Sequence, residues 1–564
     1  MVASSQPLAN AAGISILNQG GNAIDACIAM SAALCVTEPP STGVGGDAFL
    51  LYYDNKSQEI YGLNACGRSP SKLSWEWIRK NTDISSKRMP FDSIHALTVP
   101  GAIAGWCDAV DKWGSGKVTM AQILEPAISL AENGFVVSSI AAQLWNRCCE
   151  KLISKSGENA NVFLNEDGSF PEPGQVFINE LVAKVFRKVA TEGKQGFYSG
   201  DIAQEIVNAV QSRGGLLNLE DLSSHHSEVV KPICIEFCGK YIWEIPPNGQ
   251  GLVVLLTLGY IKSLAKRGVI QLGKLQHNSV EYLHLVTECL KLAFFESEKY
   301  ITDLNHHPEI QLSEALSEER LEHVSQFIKL DSLLTREDFG NVTVPNPIYD
   351  SDTVYLTAVD KDGNACSFIN SVYIEFGSGI IPNKYGFSLQ NRGAAFNLTP
   401  GAPNCLAPNK RPFHTIIPSM ITEFDSEGKH RLWASMGCMG AAMQPQGHVQ
   451  IFLNMVLFGM DPQEAIDCPR ISLNSNNKLR HLDIGLGSDG PNATPEPKLV
   501  IEETMPDDVI DGLRKMGHNV SVAKGYHRDI FGRAQCIRNL SKNGRVIWAG
   551  GSDPRGDGAA VPQI

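Results

Sequence analysis

The chain is short of positive charge and of long apolar runs. Its 48 Lys and Arg residues face 61 Asp and Glu residues, which gives a net charge of −13 and a pI of about 5.6. An acidic chain lacks the basic surface of a general binder of nucleic acid or of anionic membranes. The longest apolar run, at 252–261, is well short of the ~20 residues that cross a bilayer. We therefore expect no nucleic acid and no membrane among its partners.

Cysteine use excludes two further classes of protein. The 14 cysteines in 564 residues are too few for a disulfide framework, and none of them forms a CxxC pair. The first seven residues contain neither the basic nor the apolar region of a secretory signal. The sequence therefore predicts a cytoplasmic protein without a structural metal site. A P-loop, an HExxH helix and a GxSxG turn are also missing, and no cofactor is implied.

The chain has a large apolar fraction, and the spacing of its hydrophobic residues differs between its first and second parts. Hydrophobic residues make up 43% of it and charged residues 19%, as in a globular protein with a large core. Before residue 331 most segments have helical spacing, and a glycine-rich turn at 41–47 leads into a strand. Residues 331–352 lose this pattern and predict an exposed linker. From residue 353 two alternating runs enclose an Asp-Gly turn, which predicts a β-hairpin.

Thr353 stands where this linker meets the first strand of the hairpin. A cut before it would leave a free α-amino group on the same residue as a hydroxyl. Such an amine titrates near ~7.7–8.0, so part of it is neutral at physiological pH and can accept the hydroxyl proton. One residue would then supply both nucleophile and base. Spacing alone favours an ordinary strand threonine, so both interpretations stay open.

Five blocks of sequence, at 1–9, 20–26, 38–46, 352–365 and 376–378, follow one another in a fixed order. Together they resemble the γ-glutamyltranspeptidase family of N-terminal-nucleophile hydrolases, over nearly the whole chain. The resemblance implies an α/β (α+β) fold built as a four-layer αββα sandwich. It also implies that the precursor cuts itself between Asp352 and Thr353. The large chain 1–352 and the small chain 353–564 would then be partners within one αββα domain.

The resemblance also implies a set of site residues, some of which are altered here. Ser371 falls where a second motif threonine assists self-cleavage. Gly440 and Ala441 fall on the paired glycines whose backbone N–H groups bind the oxyanion. The other matched positions are expected to hold the substrate, namely Tyr373, Arg392, His414 and Thr415.

One replacement bears on the substrate class. Ala395 stands where the family has the aspartate that pairs with a substrate ammonium, and Arg392 replaces a glutamine beside it. An ammonium buried without an acid is costly, whereas a guanidinium binds carboxylate at two points. We therefore expect a small amide substrate with an anionic end and no ammonium. Arg68 is a second candidate for that anion, out of register with the family's arginine, and either arginine can instead pair with a structural carboxylate.

Three functions remain open from the sequence. Motifs at 246–251, 443–448 and 550–558 resemble the branch with oxamate amidohydrolases and cephalosporin acylases, which favours a self-processing amide hydrolase. The second function is a glutathione hydrolase or γ-glutamyltransferase that binds the γ-glutamyl head group with other residues. The third is an uncleaved, non-catalytic relative that binds small anions or a partner protein. The sequence does not decide the oligomeric state, so a homo-oligomer also stays open.

Overall fold

The computed structural model describes residues 1–334, 353–474, 498–542 and 545–564, apart from the side chain of Cys149. Asp352, on one side of the predicted cut, lies outside these ranges. The strands, in chain order, are β1 Val2–Ser4, β2 Asp47–Asp54, β3 Glu59–Ala65, β4 Phe135–Val136, β5 Val176–Phe177, β6 Glu228–Val230, β7 Ile233–Phe237, β8 Lys240–Glu244, β9 Val354–Val359, β10 Ala365–Ser371, β11 Ser419–Phe424, β12 His430–Cys438, β13 Ile471–Asn474, β14 Lys498–Glu502, β15 Val520–Ala523, β16 Ala534–Asn539, β17 Trp548–Ser552 and β18 Ala559–Val561.

The α-helices, in chain order, are α1 Pro7–Asn18, α2 Ala23–Thr37, α3 Trp75–Asn81, α4 Ala102–Trp113, α5 Met120–Asn133, α6 Ser139–Arg147, α7 Cys149–Ser156, α8 Glu180–Glu192, α9 Lys194–Tyr198, α10 Gly200–Gln211, α11 Leu219–Ser223, α12 Leu252–Lys266, α13 Val280–Ser297, α14 Leu312–Ala315, α15 Glu318–Ser325, α16 Met443–Leu457, α17 Pro462–Asp467 and α18 Asp507–Lys515. None of these described helices is both long and apolar enough to cross a membrane.

Two sheets carry the architecture of the described residues. The first has seven strands in the order β18-β1-β9-β10-β2-β3-β6, and the second has six in the order β17-β16-β12-β11-β8-β7. Neighbouring strands run antiparallel in both sheets. The first sheet mixes strands from before and after residue 353, with the adjacent pair β9 and β10 lying between β1 and β2, and both groups also contribute to the second sheet. Both sheets therefore contain strands from before and after residue 353, while the division into two chains of one domain stays a prediction.

The central strands of the seven-stranded sheet are buried on both faces. In β9, Val354, Leu356 and Ala358 belong to one apolar cluster, whereas Tyr355 and Val359 belong to another. Because side chains alternate across a strand, the two clusters lie on opposite faces of the sheet. The first cluster includes helices α1, α2, α4 and α5, and the second includes the six-stranded sheet with α12, α13 and α16. Helix, sheet, sheet and helix thus stack as four layers, which confirms the expected αββα sandwich.

The predicted hairpin is present as β9 and β10. Gly363 in its turn has a φ of +81°, a left-handed conformation that glycine adopts without strain. In the resulting register Val354 lies opposite Asn370. The next pair outward along the two strands is therefore Thr353 and Ser371. Directly opposite residues of an antiparallel pair share a face of the sheet, so the turn determines which side chain faces Thr353.

Candidate active site

Thr353 and Ser371 form the first pair of the site. Both residues are fully buried, and the Thr353 hydroxyl donates to Oγ of Ser371 over 3.1 Å. The same oxygen accepts the backbone N–H of Tyr373 at 2.9 Å. Tyr373 has a φ of +85°, a conformation that a bulky residue rarely adopts. The chain therefore turns sharply at the end of β10, and this turn fixes the serine oxygen beside Thr353.

The guanidinium of Arg392 continues the group. The residue is fully buried, and its Nη2 donates to Oγ of Ser371 at 3.4 Å while its Nη1 donates to Oγ1 of Thr415 at 2.8 Å. Its Cζ lies 3.9 Å from the centre of the Tyr373 ring, within cation–π distance. Burial lowers the pKa of Arg392, yet arginine stays protonated in proteins. A positive charge thus lies two hydrogen bonds from the Thr353 hydroxyl.

Gln250 links this group to a second turn. Its amide nitrogen donates to the carbonyl oxygens of Thr415 at 2.5 Å and of Ala441 at 2.8 Å. Ala441 has a φ of +48° and Gly440 one of +122°. Within the described part of the chain, no acceptor is hydrogen-bonded to the N–H group of either residue. The turn directly precedes helix α16, whose N-terminus favours negative charge, so it offers the pair of donors that an oxyanion hole needs.

A single chain of hydrogen bonds therefore joins most of the predicted residues. In order, it runs through Thr353, Ser371, Arg392, Thr415, Gln250 and Ala441. Tyr373 is attached to it through its backbone N–H and its ring. The matched residues come from separate parts of the sequence, and the fold places them in one connected group.

Asp47 and His414 form a fully buried pair near Arg392. The His414 Nδ1 atom accepts the N–H of Ile416 at 3.2 Å, which leaves the ring proton on Nε2, and Nε2 donates to Oδ2 of Asp47 at 3.0 Å. Burial lowers the pKa of His414 to about 3, and the nearby Arg392 charge adds to this effect. The imidazole is therefore neutral at pH 7. Both of its nitrogens are used inside the protein, which gives His414 a positioning role, and its contact with substrate stays a prediction.

The second carboxylate oxygen of Asp47 is held mainly by backbone. Oδ1 accepts the N–H groups of Gly67 at 2.8 Å and Gly101 at 3.1 Å, and the Gln390 amide at 2.8 Å. A Cβ on either glycine would overlap a neighbouring carbonyl, so only glycine fits this close approach. Burial alone would raise the pKa of Asp47, but the His414 hydrogen bond, the nearby charges and the Gly67 N–H hold it below its usual value. Asp47 is therefore a stable buried anion in the field of Arg392.

Asp47, Cys66 and His414 also bring three potential metal ligands within 4.8 Å of one another. Four hydrogen bonds already use the Asp47 carboxylate, and the backbone N–H of Ile416 uses the Nδ1 lone pair of His414, the only ring lone pair that could bind a metal. Burial raises the pKa of the Cys66 thiol well above its usual value, whereas a metal binds the thiolate. The donor set therefore fits a hydrogen-bond network better than a metal ion.

A cavity of about 220 Å³ lies against the hydrogen-bonded chain. Tyr373, Thr415 and Gln250 belong to both, and Ala395 contributes to the cavity wall. Most of the remaining wall is apolar: Val253, Phe294, Ile301, Ala402, Pro403, Phe413 and Ala442. Its charged residues are Arg88 and Glu298. A small molecule in this space would meet two of the residues that the sequence assigns to substrate binding, Tyr373 and Thr415.

Arg68 lies apart from this group. Its Nη1 donates to the carbonyl of His226 at 3.5 Å, and the charges that act on it are those of Arg411, Asp303 and Glu228. It does not line the cavity beside Tyr373. The structure therefore does not bring Arg68 together with the other predicted site residues, in line with its register in the sequence.

Sequence reasoning missed Asp47 and Gln250. Each stands where a glycine-containing turn, at 41–47 or 246–251, leads into a buried element: Asp47 is the first residue of β2, and Gln250 lies two residues before α12. A polar residue buried at such a place needs partners, which is the signal that could have drawn attention to them. Their partners, His414 for Asp47 and Thr415 for Gln250, are far away in sequence, so the pairing itself could not be read from the pattern.

Comparisons with known proteins give matches over nearly the whole chain. The family profile described as gamma-glutamyltranspeptidase matches residues 9–563. The glutathione hydrolase-like YwrD proenzyme of Bacillus subtilis is 34% identical over 564 residues, covering 100% of this chain and 98% of that protein. The oxamate amidohydrolase proenzyme of Klebsiella pneumoniae is 30% identical over 558 residues, covering 98% of this chain and 96% of that protein.

A solved structure agrees with these sequence matches. Cephalosporin acylase from Bacillus halodurans has 34% sequence identity and a TM-score of 0.83, covering 99% of this chain and 94% of that chain. The fold, the order of the motifs and the full-length matches lead to one conclusion. The chain belongs to the γ-glutamyltranspeptidase family.

Proposed function

We propose that the chain is a precursor that cuts itself before Thr353 and then hydrolyses small carboxylate-bearing amides through an acyl-threonine intermediate. The observation that carries this proposal is the hydrogen-bonded chain from the Thr353 hydroxyl to the turn at Gly440 and Ala441. It connects a candidate nucleophile, a buried cation and two backbone donors without an acceptor among the described residues. These are the parts that acyl transfer needs.

The proposed reaction uses the new chain end as its base. Oγ of Thr353 attacks the substrate carbonyl carbon, and the α-amino group of the same residue takes the hydroxyl proton. The N–H groups of Gly440 and Ala441 stabilise the resulting oxyanion. The C–N bond then breaks, the ammonium returns the proton to the leaving amine, and an ester on Thr353 remains. Water attacks this ester, the acid is released, and Oγ regains its proton.

The charge of the site supports an anionic substrate. Arg392 is buried, and the neighbouring anion, Asp47, already accepts four hydrogen bonds from other groups. Ala395 gives the cavity wall a methyl group where an acid would be required to hold an ammonium. A carboxylate bound beside Thr415 in this cavity would be stabilised by the positive charge of Arg392, which is hydrogen-bonded to the Thr415 side chain. A small amide with one acidic end satisfies these conditions.

Two measurements on purified protein test the proposal. Denaturing electrophoresis should give two bands of roughly 350 and 210 residues, and N-terminal sequencing of the smaller one should begin at Thr353. Thr353→Ala should give one uncut band and no activity, whereas Thr353→Ser keeps a hydroxyl and should still be cut, more slowly. A wild-type protein that stays in one piece while it hydrolyses amides would exclude this mechanism, and one that is neither cut nor active would favour a binding role.

A γ-glutamyl substrate is the second candidate, because one cavity residue could serve its ammonium. Glu298 lines the same wall as Ala395, and its carboxylate would pair with an ammonium, although burial raises its pKa. The two candidates separate when turnover of a γ-glutamyl anilide is compared with that of oxamate and related acid amides. Preference for the anilide, lost in Glu298→Gln, would identify a glutathione hydrolase or γ-glutamyltransferase. Preference for the acid amides, unchanged in that variant, supports the leading proposal.

A further inference from the structure

A second buried cluster of ligand-type side chains lies outside the candidate active site. His284 and Glu288 stand one turn apart on α13, and His518 follows α18. One ligand atom of each residue lies within 4.8 Å of those of the other two, and all three residues are buried. The closest pair is Nδ1 of His284 and Nε2 of His518, at 2.8 Å. His284 and Glu288 have the i, i+4 spacing of a helical ligand pair, and His518 is the distant third residue. Two imidazoles and one carboxylate in this arrangement form a zinc-type ligand set.

The ring orientation of His284 is fixed from outside the cluster. Its Nε2 lies 2.9 Å from the carbonyl oxygen of Lys329, which can only accept, so Nε2 carries the proton. The lone pair of Nδ1 therefore faces His518 and Glu288. A backbone carbonyl that holds the far nitrogen of a histidine is the usual support of a metal-binding imidazole.

The carboxylate of Glu288 is supported in the same way. Its Oε1 accepts Nζ of Lys291 at 2.6 Å, and its Oε2 accepts the backbone N–H of Leu334 at 2.6 Å. Ligating carboxylates are commonly hydrogen-bonded by neighbouring groups. The Lys291 ammonium is a competitor for Oε1, since its charge repels a cation at this position.

We propose that His284, His518 and Glu288 form a binding site for a divalent transition metal ion, with Zn²⁺ as the first candidate. The ion would replace the hydrogen atom that the two imidazoles share. His518 would then carry its proton on Nδ1 instead of Nε2, so the number of protons on the pair does not change. Water would complete a tetrahedral site. No sequence motif indicates this site, because 234 residues separate the two histidines.

The position of the cluster assigns the metal a structural role. His284 and Glu288 precede residue 353 and His518 follows it, so the ion would join the two segments on either side of the predicted cut. It would also brace residues 329–334, which are bonded to His284 and Glu288 through Lys329 and Leu334. The inference does not depend on the proposed enzymatic function, because an uncut chain contains the same three ligands.

The test is metal binding by the full-length protein. After treatment with a chelator and its removal, we expect wild type to take up about one Zn²⁺ per chain with a rise in Tm. His284→Gln and His518→Gln should each weaken this uptake by more than the ~10–100-fold typical of supporting residues. His323→Gln, which changes an exposed histidine on α15, should leave it unchanged. Lys291→Gln should tighten binding, because the competing ammonium is lost.

Cobalt gives an independent readout that does not need a folded variant. Co²⁺ held by two imidazoles and a carboxylate in wild type should develop the intense visible absorption of a four- or five-coordinate ion, and Zn²⁺ should displace it. Equal zinc uptake by wild type and both histidine variants would show an adventitious ion only. Absence of that absorption, together with no saturable zinc uptake by wild type, would likewise overturn the proposal.

Discussion

Thr353 and Ser371 face each other across β9 and β10, with their hydroxyl oxygens 3.1 Å apart. The serine oxygen also accepts the Tyr373 N–H and the Arg392 guanidinium. Three donor groups thus lie within 3.4 Å of one oxygen, and this holds the serine oxygen beside the Thr353 hydroxyl before any reaction. The pair therefore has an experimental consequence for the cut as well as for turnover.

Ser371→Ala should slow self-cleavage on the order of a hundredfold, because the group that positions the attacking hydroxyl is lost. Ser371→Thr, which restores the hydroxyl, should recover most of the rate. The measurement is the fraction of two-chain product against time after rapid purification. Cleavage of the alanine variant at the wild-type rate would show that the hydrogen bond serves packing alone.

The turn at Gly440 and Ala441 offers a matched pair of variants. Gly440→Ala places a side chain at a φ of +122° and 3.2 Å from Cα of Gly532, so the N–H groups must move and kcat should fall about 10²–10³-fold. Ala441→Gly retains both N–H groups and relaxes a φ of +48°, so it should stay close to wild type. Steady-state kinetics on the best substrate compares them, and equal loss in both would argue against an oxyanion hole here.

Ala395→Asp should shift the substrate preference toward amides that carry an α-ammonium. The new carboxylate would lie in the cavity wall, where a charge-assisted hydrogen bond is worth roughly 1.5–3 kcal/mol, or about tenfold or more in relative kcat/KM. Ala395→Asn controls for size without the charge. If both variants change the two substrate classes in parallel, Ala395 does not determine specificity.

His414 should make the stability of the protein sensitive to acid. Its pKa is about 3 in the folded chain and ~6.5 when unfolded, so below pH ~6.5 the unfolded state takes up a proton that the folded state refuses. The stabilisation is complete above that pH and is lost progressively as pH falls toward 3. The depressed pKa of Asp47 extends the same trend at lower pH.

The comparison with His414→Gln isolates this effect from other histidines. Wild type should exceed the variant in Tm at pH 7.5, and the difference should narrow between pH 6.5 and 5 because glutamine does not titrate. Thermal melts across that range measure the gap. A difference that is constant with pH would mean that folding does not lower the pKa of His414.

The hairpin shows how far sequence reasoning reaches. The alternating runs around the Asp-Gly turn predict two strands, and the turn then sets Thr353 opposite Ser371 by local geometry. The four-layer sandwich and the candidate oxyanion turn at Gly440 and Ala441 are expected from motifs carried by whole segments. These features depend on neighbours in sequence or on a resemblance that covers the chain.

The pairing of Asp47 with His414 shows what sequence reasoning cannot predict. These residues are 367 positions apart, and no spacing rule connects them. Arg392 is similar, because its contacts with Ser371, Tyr373 and Thr415 are visible only in the fold. Its binding of a substrate anion stays a prediction. Arg68 has the expected charge, but its hydrogen bond is to the carbonyl of His226 and not to the group around Arg392. Burial and long-range contact decide each case, and neither is visible in a single sequence.

β9 occupies an interior place in its sheet, between β1 and β10. A cut just before β9 would leave its hydrogen bonds with both neighbouring strands intact. Neither fragment could therefore dissociate without disrupting the sheet. Such a cut would therefore change the tertiary structure very little. The cut would be detectable from the masses of the two chains and from the new N-terminal amine, whereas the overall shape and the Tm would stay nearly the same.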